Sequence, residues 1–193
     1  MGLFSNIAFR AWKTLSKVIS FFGKLSDSKR RRLQQEEKRI LDLANIQGRD
    51  LDTFPEFQSI QKEKEKINKL EELSKNIPQG YNPNYYFELL IRVLSTMDRT
   101  NDTPQLNQIY TFKYVGKTPE WYDLNPVVMI TNASGLYFEG VNFHWKNAAS
   151  YVESPFRKYR FDRSVSKFYK IMPDELDYVL RIPTFYPIKI TTK

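Results

Sequence analysis

The stretch IYTFKYVGKTPEWYDLNPVVMI, residues 109–130, decides the fold class of this chain. Apolar and polar side chains alternate over residues 109–115, which is the period of a half-buried β-strand. Residues 116–119 predict a loop, and residues 127–130 predict a short buried strand whose first position suits Pro126. The stretch therefore indicates β-structure rich in aromatic side chains.

The sequence that follows extends this β-structure. Residues 132–135, Asn-Ala-Ser-Gly, predict a turn, and residues 136–143 predict a third strand that is kinked or bulged at Gly140. Three short antiparallel strands bury more surface when they curl, so we expect a small β-barrel over residues 105–193. A closing strand is expected from IPTFYPIKI, residues 182–190.

A helical segment is expected inside the barrel region. Pro173-Asp174-Glu175-Leu176 is a good helix start, and we expect residues 146–181 to be helical in part. The polar segment RTNDTPQLNQ, residues 99–108, predicts the boundary between the barrel and the sequence before it.

The sequence before this boundary has the period of helices. Residues 1–27 predict a basic amphipathic helix, and residues 28–104 predict a helical region. In that region Ser26, Asp27 or Ser28 is expected to cap a second helix, which Gly48 ends. Pro55 is expected in the first turn of a third helix, and Asn82-Pro83 at the start of a fourth. The predicted class is α+β: an N-terminal helical extension (an amphipathic helix plus a helical hairpin), then a small antiparallel β-barrel with an inserted helical segment.

Composition excludes several kinds of site. The 193 residues include no cysteine, which excludes disulfides and thiolate metal sites, and one histidine, His144, which excludes a three-histidine zinc site. The net charge is +8, distributed as +7 over residues 1–33, −3 over residues 34–104 and +4 over residues 105–193. A basic N-terminus suggests an anionic partner such as DNA, a membrane surface or an acidic protein face.

The first helix carries an apolar face that predicts a docking surface. Its basic residues lie mainly on the other side, which favours a helix docked on a neighbouring protein or on this protein's own barrel; an interfacial membrane helix and a direct DNA contact are the alternatives. The predicted protein-docking residues are Leu3, Phe4, Ile7, Trp12, Leu15, Ile19 and Phe22.

Two clusters of cations are candidates for binding phosphate or an acidic partner. The first cluster, Lys29, Arg30, Arg31 and Arg32, could grip phosphates or form a solvated helix face. The second cluster is interleaved with aromatic residues, which suits a nucleic-acid backbone or an acidic protein interface. Its members are Arg157, Lys158, Arg160, Arg163 and Lys167.

A third candidate surface is aromatic. Trp121, Tyr122 and Asp123 are expected to cap the barrel, with Asp123 accepting backbone N–H bonds in the turn before Pro126. The rings could alternatively form a platform for a protein or a base, together with His144 and Trp145. No phosphate-binding loop, zinc-protease motif or nucleophile elbow occurs, so we expect no catalytic residues, no metal, no cofactor and no small-molecule substrate.

Residues 109–145 resemble a family of virion proteins of T4-type tailed bacteriophages and their relatives. The resemblance lies in Tyr110-Thr-Phe112-Lys-Tyr114, Pro119-Glu-Trp121-Tyr122-Asp123-Leu-Asn125-Pro126-Val127-Val128 and Gly140-Val-Asn142-Phe-His144-Trp145. The chain departs from the family pattern by an inserted Glu120, by Asn125 in place of an aromatic residue and by Lys146 in place of leucine.

The resemblance implies an SH3-like barrel and a structural or adaptor role in a phage neck, tail or baseplate. It also implies other virion proteins as partners, in a symmetric multi-copy assembly, and a location in the virion and in the host cytoplasm during assembly. A virion DNA-binding protein that holds or protects the genome end is an alternative. A membrane-active particle protein that uses its N-terminal helix is another.

Overall fold

The computed structural model of the chain describes residues 3–75, 77–96, 99–116, 123–146, 156–164 and 167–185. Side chains are described from residue 23 onward, except for those of residues 145 and 146. The helices in this part are α1 (Leu3–Gln47), α2 (Pro55–Leu73), α3 (Pro83–Ser95) and α4 (Leu176–Arg181). The strands are β1 (Thr100–Asn101), β2 (Ile109–Thr111), β3 (Val127–Ser134), β4 (Tyr137–Asn142), β5 (Phe156–Arg160) and β6 (Phe168–Ile171). Short 3-10 helices cover Leu51–Thr53, Phe143–Lys146 and Phe161–Arg163.

Helix α1 is continuous through the position where a second helix start was predicted, so the predicted break at residues 26–28 is wrong. The Ser26 hydroxyl does not cap a helix but donates to the backbone oxygen of Asp174, at 2.5 Å. The helix ends as predicted at Gly48, whose φ of +60° suits glycine. The Arg49 N–H then bonds back to the Ala44 carbonyl, at 3.1 Å, in a Schellman-type ending.

Helices α2 and α3 begin where the sequence predicts. Pro55 is the first residue of α2, and the Asn82 side chain caps α3 by accepting from the Asn84 N–H at 3.0 Å. The two helices pack against each other and α2 packs against α1. Their buried apolar residues include Ile60, Ile67, Leu70, Phe87, Leu90 and Leu94.

The strands form one antiparallel sheet in the order β1-β6-β2-β3-β4-β5. The described strands make an open sheet, so the predicted closure into a barrel is wrong for this part of the chain. β2 pairs with β3 on one side and with β6 on the other, and β6 lies inside the segment that was expected to be a helical insertion. Residues 182–185, from which a closing strand was predicted, are not in a strand, and residues 186–190 lie outside the described residues.

One face of this open sheet curls around a cluster of aromatic rings. Phe112 lies at its centre, with ring centroids 5.5 Å from Tyr159 and 4.9 Å from Phe168. An isolated antiparallel bridge joins Tyr114 to Ser164, so the chain after β2 meets the chain after β5. The buried members are Tyr110, Phe112, Val128, Ile130, Phe138, Tyr159 and Phe168. Aromatic side chains therefore make up most of the core on this face of the sheet.

Gly140 lies within β4, and the register shift falls on the neighbouring β3, between Ile130 and Asn132. A Cβ atom at Gly140 would lie 2.4 Å from the Met129 carbonyl oxygen and 2.4 Å from Val128 Cγ1. The two strands approach so closely that only glycine fits at this position.

The other face of the sheet packs on the helices, so the predicted helical region and the predicted β region share one core. Helix α4, which begins after Pro173 as predicted, contacts both α1 and α2 in this core. The buried residues that meet here include Leu33, Ile40, Ile67, Leu90, Ile109, Val127, Ile171, Leu176 and Val179. Each polar site described below is therefore held by elements far apart in the sequence.

Candidate functional site

A network of ion pairs joins α1, α2, the segment before β1 and the segment before α4. Lys66 of α2 binds Glu175 at 2.5 Å, and Arg99 binds the same carboxylate at 2.8 Å. Lys29 of α1 binds Glu63 of α2 at 2.8 Å and Asp174 at 2.6 Å. The side chains of Lys66 and Glu175 are 4% and 1% exposed, so the ion pair at the centre of the network is buried from solvent.

The network is balanced in charge, with three cations (Lys29, Lys66, Arg99) and three carboxylates (Glu63, Asp174, Glu175). Partial burial opposes the ionised form of Glu63, but hydrogen bonds from Lys29 and Lys66 outweigh it and hold its pKa at about 2. Burial likewise opposes the charged form of Lys29, and its bonds to Asp174 and Glu63 raise its pKa overall. Glu63 and Lys29 are therefore both charged near neutral pH.

The first predicted basic cluster is largely engaged in such intramolecular pairs. Lys29 belongs to the network, Arg30 binds Glu71 at 2.9 Å, and Arg32 binds Glu36 one turn later at 3.4 Å. The Arg30 guanidinium also stacks on the Tyr178 ring, 5.2 Å from its centroid. Arg31 is exposed. Much of the charge predicted to grip phosphates instead holds α1 against α2 and α4.

The structure places most of the second basic cluster on and after the edge strand β5, with the exposed Lys167 just before β6. Arg160 makes two bonds to Asp162, at 2.9 and 2.6 Å, and Arg163 donates to the Val115 carbonyl at 3.4 Å. Lys158 lies 3.5 Å from Glu139. Burial lowers the pKa of Arg157.

The aromatic residues interleaved with this cluster do not line its surface. Tyr159 and Phe168 are buried in the aromatic cluster of the sheet, and Phe161 packs against it. Phe156 is exposed at the start of β5. The predicted pattern of cations among base-stacking rings therefore does not describe most of this surface.

A second polar network surrounds Asp123. Its Oδ1 accepts from the Asn125 N–H at 3.1 Å, which confirms the predicted turn before Pro126. Its Oδ2 accepts from Asn142 Nδ2 at 3.1 Å and lies 2.7 Å from His144 Nδ1. The side chains of Asp123 and His144 are both buried, so His144 is a packed histidine held by a carboxylate.

This second network extends to the C-terminal part of the described chain. Thr184 Oγ1 lies 3.4 Å from His144 Nε2, and the Phe185 ring stacks on the imidazole with centroids 5.2 Å apart. Asn125 Nδ2 donates to the Thr184 carbonyl and to Asn84 Oδ1 of α3, both at 3.2 Å. The network thus connects the sheet, α3 and residues 184–185.

Carboxylate, imidazole and hydroxyl occur here in the order of a catalytic triad, but the geometry is that of a structural array. The Thr184 side chain is held in the interior, with the residue 1% exposed, and its hydroxyl lies at the limit of hydrogen-bond distance from the ring. A nucleophile needs access to a substrate, which this threonine lacks.

Sequence reasoning identified Asp123 and His144 but missed Asn84, Asn142 and Thr184. One signal was available for Asn142, because a buried position of an apolar strand was occupied by an amide that needs a partner. The predicted cap residues Trp121 and Tyr122 lie outside the described residues. The backbone of Trp145 and of the predicted docking residues of α1 is helical, and their side chains lie outside the described part.

A groove of about 500 Å³ runs between α2 and α3. Leu73, Leu89 and Val93 contribute apolar surface, and charged residues of both signs lie beside them, namely Lys62, Glu65, Lys69, Glu72 and Arg92. The mixed charges favour neither an anionic nor a cationic ligand.

Within the described ranges, no three His, Asp or Glu side chains form a group that could hold a metal ion. None of the described helices is long and apolar enough to cross a membrane. No family model, curated protein or solved structure matches the chain.

Proposed function

We propose that this chain is a structural adaptor of a tailed-phage virion, in the neck, tail or baseplate, and that it acts by docking on neighbouring proteins rather than by catalysis. The phage assignment rests on the resemblance of residues 109–145, and the SH3-like character of the curled sheet is part of the same proposal. The docking role rests on the length and anchoring of α1.

Helix α1 is too long for the body formed by the rest of the chain. Its 45 residues span about 67 Å at about 1.5 Å per residue. A globular chain of 193 residues has a radius of gyration of about 16 Å, which corresponds to a sphere about 42 Å in diameter. The described residues of α1 that meet the body include Gly23, close to Asp177, Ser26, bonded to Asp174, and the buried Ala44. About 35 Å of helix precedes Ser26.

The apolar face of this N-terminal part continues the face of α1 that is buried further along. Leu33, Ile40 and Ala44 pack into the core, and Leu15 precedes Leu33 by 18 residues, which is five helical turns. A face that is buried by the body at one end of the helix therefore runs on, with Trp12, Leu15 and Ile19, toward its other end. Apolar surface of this extent is typical of a docking site for a partner protein.

The ion-pair network holds α1 in a fixed orientation just after its N-terminal part, residues 3–25. Lys29 fixes α1 to both α2 and the segment before α4, through Glu63 and Asp174. A docking element must be held in one direction by its scaffold if it is to present a fixed surface. The same pairs also reduce the number of cations available to DNA, which favours protein docking over the DNA-binding alternative.

Incorporation into particles tests this proposal. We expect mass spectrometry of purified virions to detect the chain, and we expect Leu15→Asp/Ile19→Asp to reduce its copy number at least tenfold, because the charges fall on the docking face. The matched control is Ser59→Asp/Asn68→Asp, which adds the same charge at two exposed positions of α2. Absence of the wild-type chain from virions would contradict the phage proposal, and normal incorporation of the first variant would contradict docking through this face.

A further inference from the structure

We propose that copies of this chain associate head to tail, with the N-terminal part of α1 from one copy lying against the acidic corner between α1 and α2 of the next. The acidic corner is defined here as residues 40–56. This inference rests on the proposed docking function and specifies one partner, a second copy of the chain.

The acidic corner carries four exposed carboxylates, from Asp42, Asp50, Asp52 and Glu56, and one cation, Arg49, for a net charge of −3. Among the described side chains, none of these carboxylates forms an ion pair with a neighbour. The Arg49 guanidinium stacks on the Phe54 ring, 4.9 Å from its centroid. The corner therefore presents acidic charge that the chain itself does not neutralise.

Apolar side chains are exposed beside these acids. Ile46 is 82% exposed, and Leu43 lies three residues before it, also exposed. Asp42 lies four residues before Ile46, so these three side chains share one outward face near the end of α1. An acidic surface with apolar side chains at its centre fits a partner helix that is basic and amphipathic.

The N-terminal part of α1 has this chemistry. Residues 3–25 contain Arg10, Lys13, Lys17 and Lys24 and no acid, giving a net charge of +4 against −3 at the corner. The predicted docking residues supply its apolar face. The two ends of the same helix are therefore complementary in charge, and apolar residues occur at both.

The two surfaces cannot meet within one molecule. Arg10 and Ile46 lie in one unbroken helix, and 36 residues at about 1.5 Å each place them about 54 Å apart. Contact between these surfaces must therefore join two copies. Such a contact is heterologous, since different surfaces meet, and repeating it closes a ring or grows a filament.

A charge-swap experiment on the full chain tests this inference. The first variant is Lys13→Glu/Lys17→Glu and the second is Asp42→Lys/Asp50→Lys. Sedimentation of the nuclease-treated protein at low salt is expected to show wild-type association that increases with concentration and weakens with added salt. Each variant alone should associate at least tenfold more weakly. An equimolar mixture should regain association, because the unaltered N-terminal part of the second variant can dock on the unaltered acidic corner of the first.

The mixture also controls for folding, because a variant that failed to fold could not restore association. A third variant, Ile46→Asp, changes the same corner as the second variant, so its weakened association should be rescued by the first variant but not by the second. A wild-type chain that is monomeric at about 100 μM and low salt would overturn the inference, as would two variants that each associate like the wild type. Either result leaves the proposed virion role to its own test, because incorporation into particles is measured independently.

Discussion

Replacing Glu175 by glutamine tests the ion-pair network at its most buried point. The substitution keeps the size of the side chain but removes one of three negative charges. Lys66, whose side chain is 4% exposed, and Arg99 both lose their charged partner. The Met172 N–H, which donates to the same carboxylate at 3.1 Å, can still donate to the amide oxygen. The change therefore acts mainly through charge.

The expected cost follows from the burial of Lys66. Removing one partner of a buried pair costs about 3–5 kcal/mol, because the remaining charge stays buried without compensation. For a domain of this size that corresponds to a fall of about 6–20 °C in melting temperature. With a urea dependence of about 2–3 kcal/mol per molar, the unfolding midpoint should fall by about 1–2.5 M.

Urea titration followed by far-UV circular dichroism provides the measurement. Glu65→Gln is the matched control, since it makes the same chemical change in an exposed pair with Lys69 and should leave the midpoint unchanged. Adding Lys66→Met to Glu175→Gln restores the charge balance of the network, so the double variant should lose less than the sum of the single variants. A Glu175→Gln midpoint equal to that of the control would refute this reasoning.

Three further predictions concern the sheet, the Asp123 network and acid stability. Gly140→Ala should cost about 3 kcal/mol or more in thermal unfolding, because a Cβ there meets backbone at 2.4 Å, whereas Asn132→Ala at an exposed strand position should change stability little. Asp123→Asn should cost about 3 kcal/mol and change the NMR signals of His144, because the amide presents a donor where a carboxylate accepted; unchanged stability and signals would refute it. The pKa of Glu63 is depressed from 4.5 to about 2, so its contribution to stability is full above pH 4.5 and is lost as the pH falls toward 2; screening at this partly exposed group reduces that contribution to about 1–2 kcal/mol. Between pH 5 and 2.5, Glu63→Gln should therefore lose about 1–2 kcal/mol less stability than the wild type, and an equal loss in both would contradict this assignment.

Local signals in the sequence predicted those elements whose ends are fixed by local chemistry. Pro55 and the Asn82-Pro83 pair begin helices because proline suits the first turn and asparagine caps it, and both effects act within a few residues. The turn at Asp123 was predictable for the same reason, since its carboxylate bonds the N–H two residues on.

Features that depend on distant partners could not be predicted in this way. Ser26 looked like a helix cap, but its hydroxyl bonds a carbonyl 148 residues away, so α1 continues. Besides β3, β2 pairs with β6. The sequence pattern alone could not show whether this second partner would be β6 or a strand near the C-terminus. The charges of Lys29 and Arg30 looked available to phosphate because their acidic partners lie on α2 and before α4.

Photo-cross-linking from the N-terminal part of α1 tests the central claim of docking most directly. A photoreactive phenylalanine analogue placed at Trp12 lies within the predicted docking face, and irradiation of intact particles followed by mass spectrometry identifies what that face touches. We expect cross-links to a virion protein and, if copies associate head to tail, to peptides from residues 40–56 of a second copy. Cross-links confined to DNA or lipid would contradict the account.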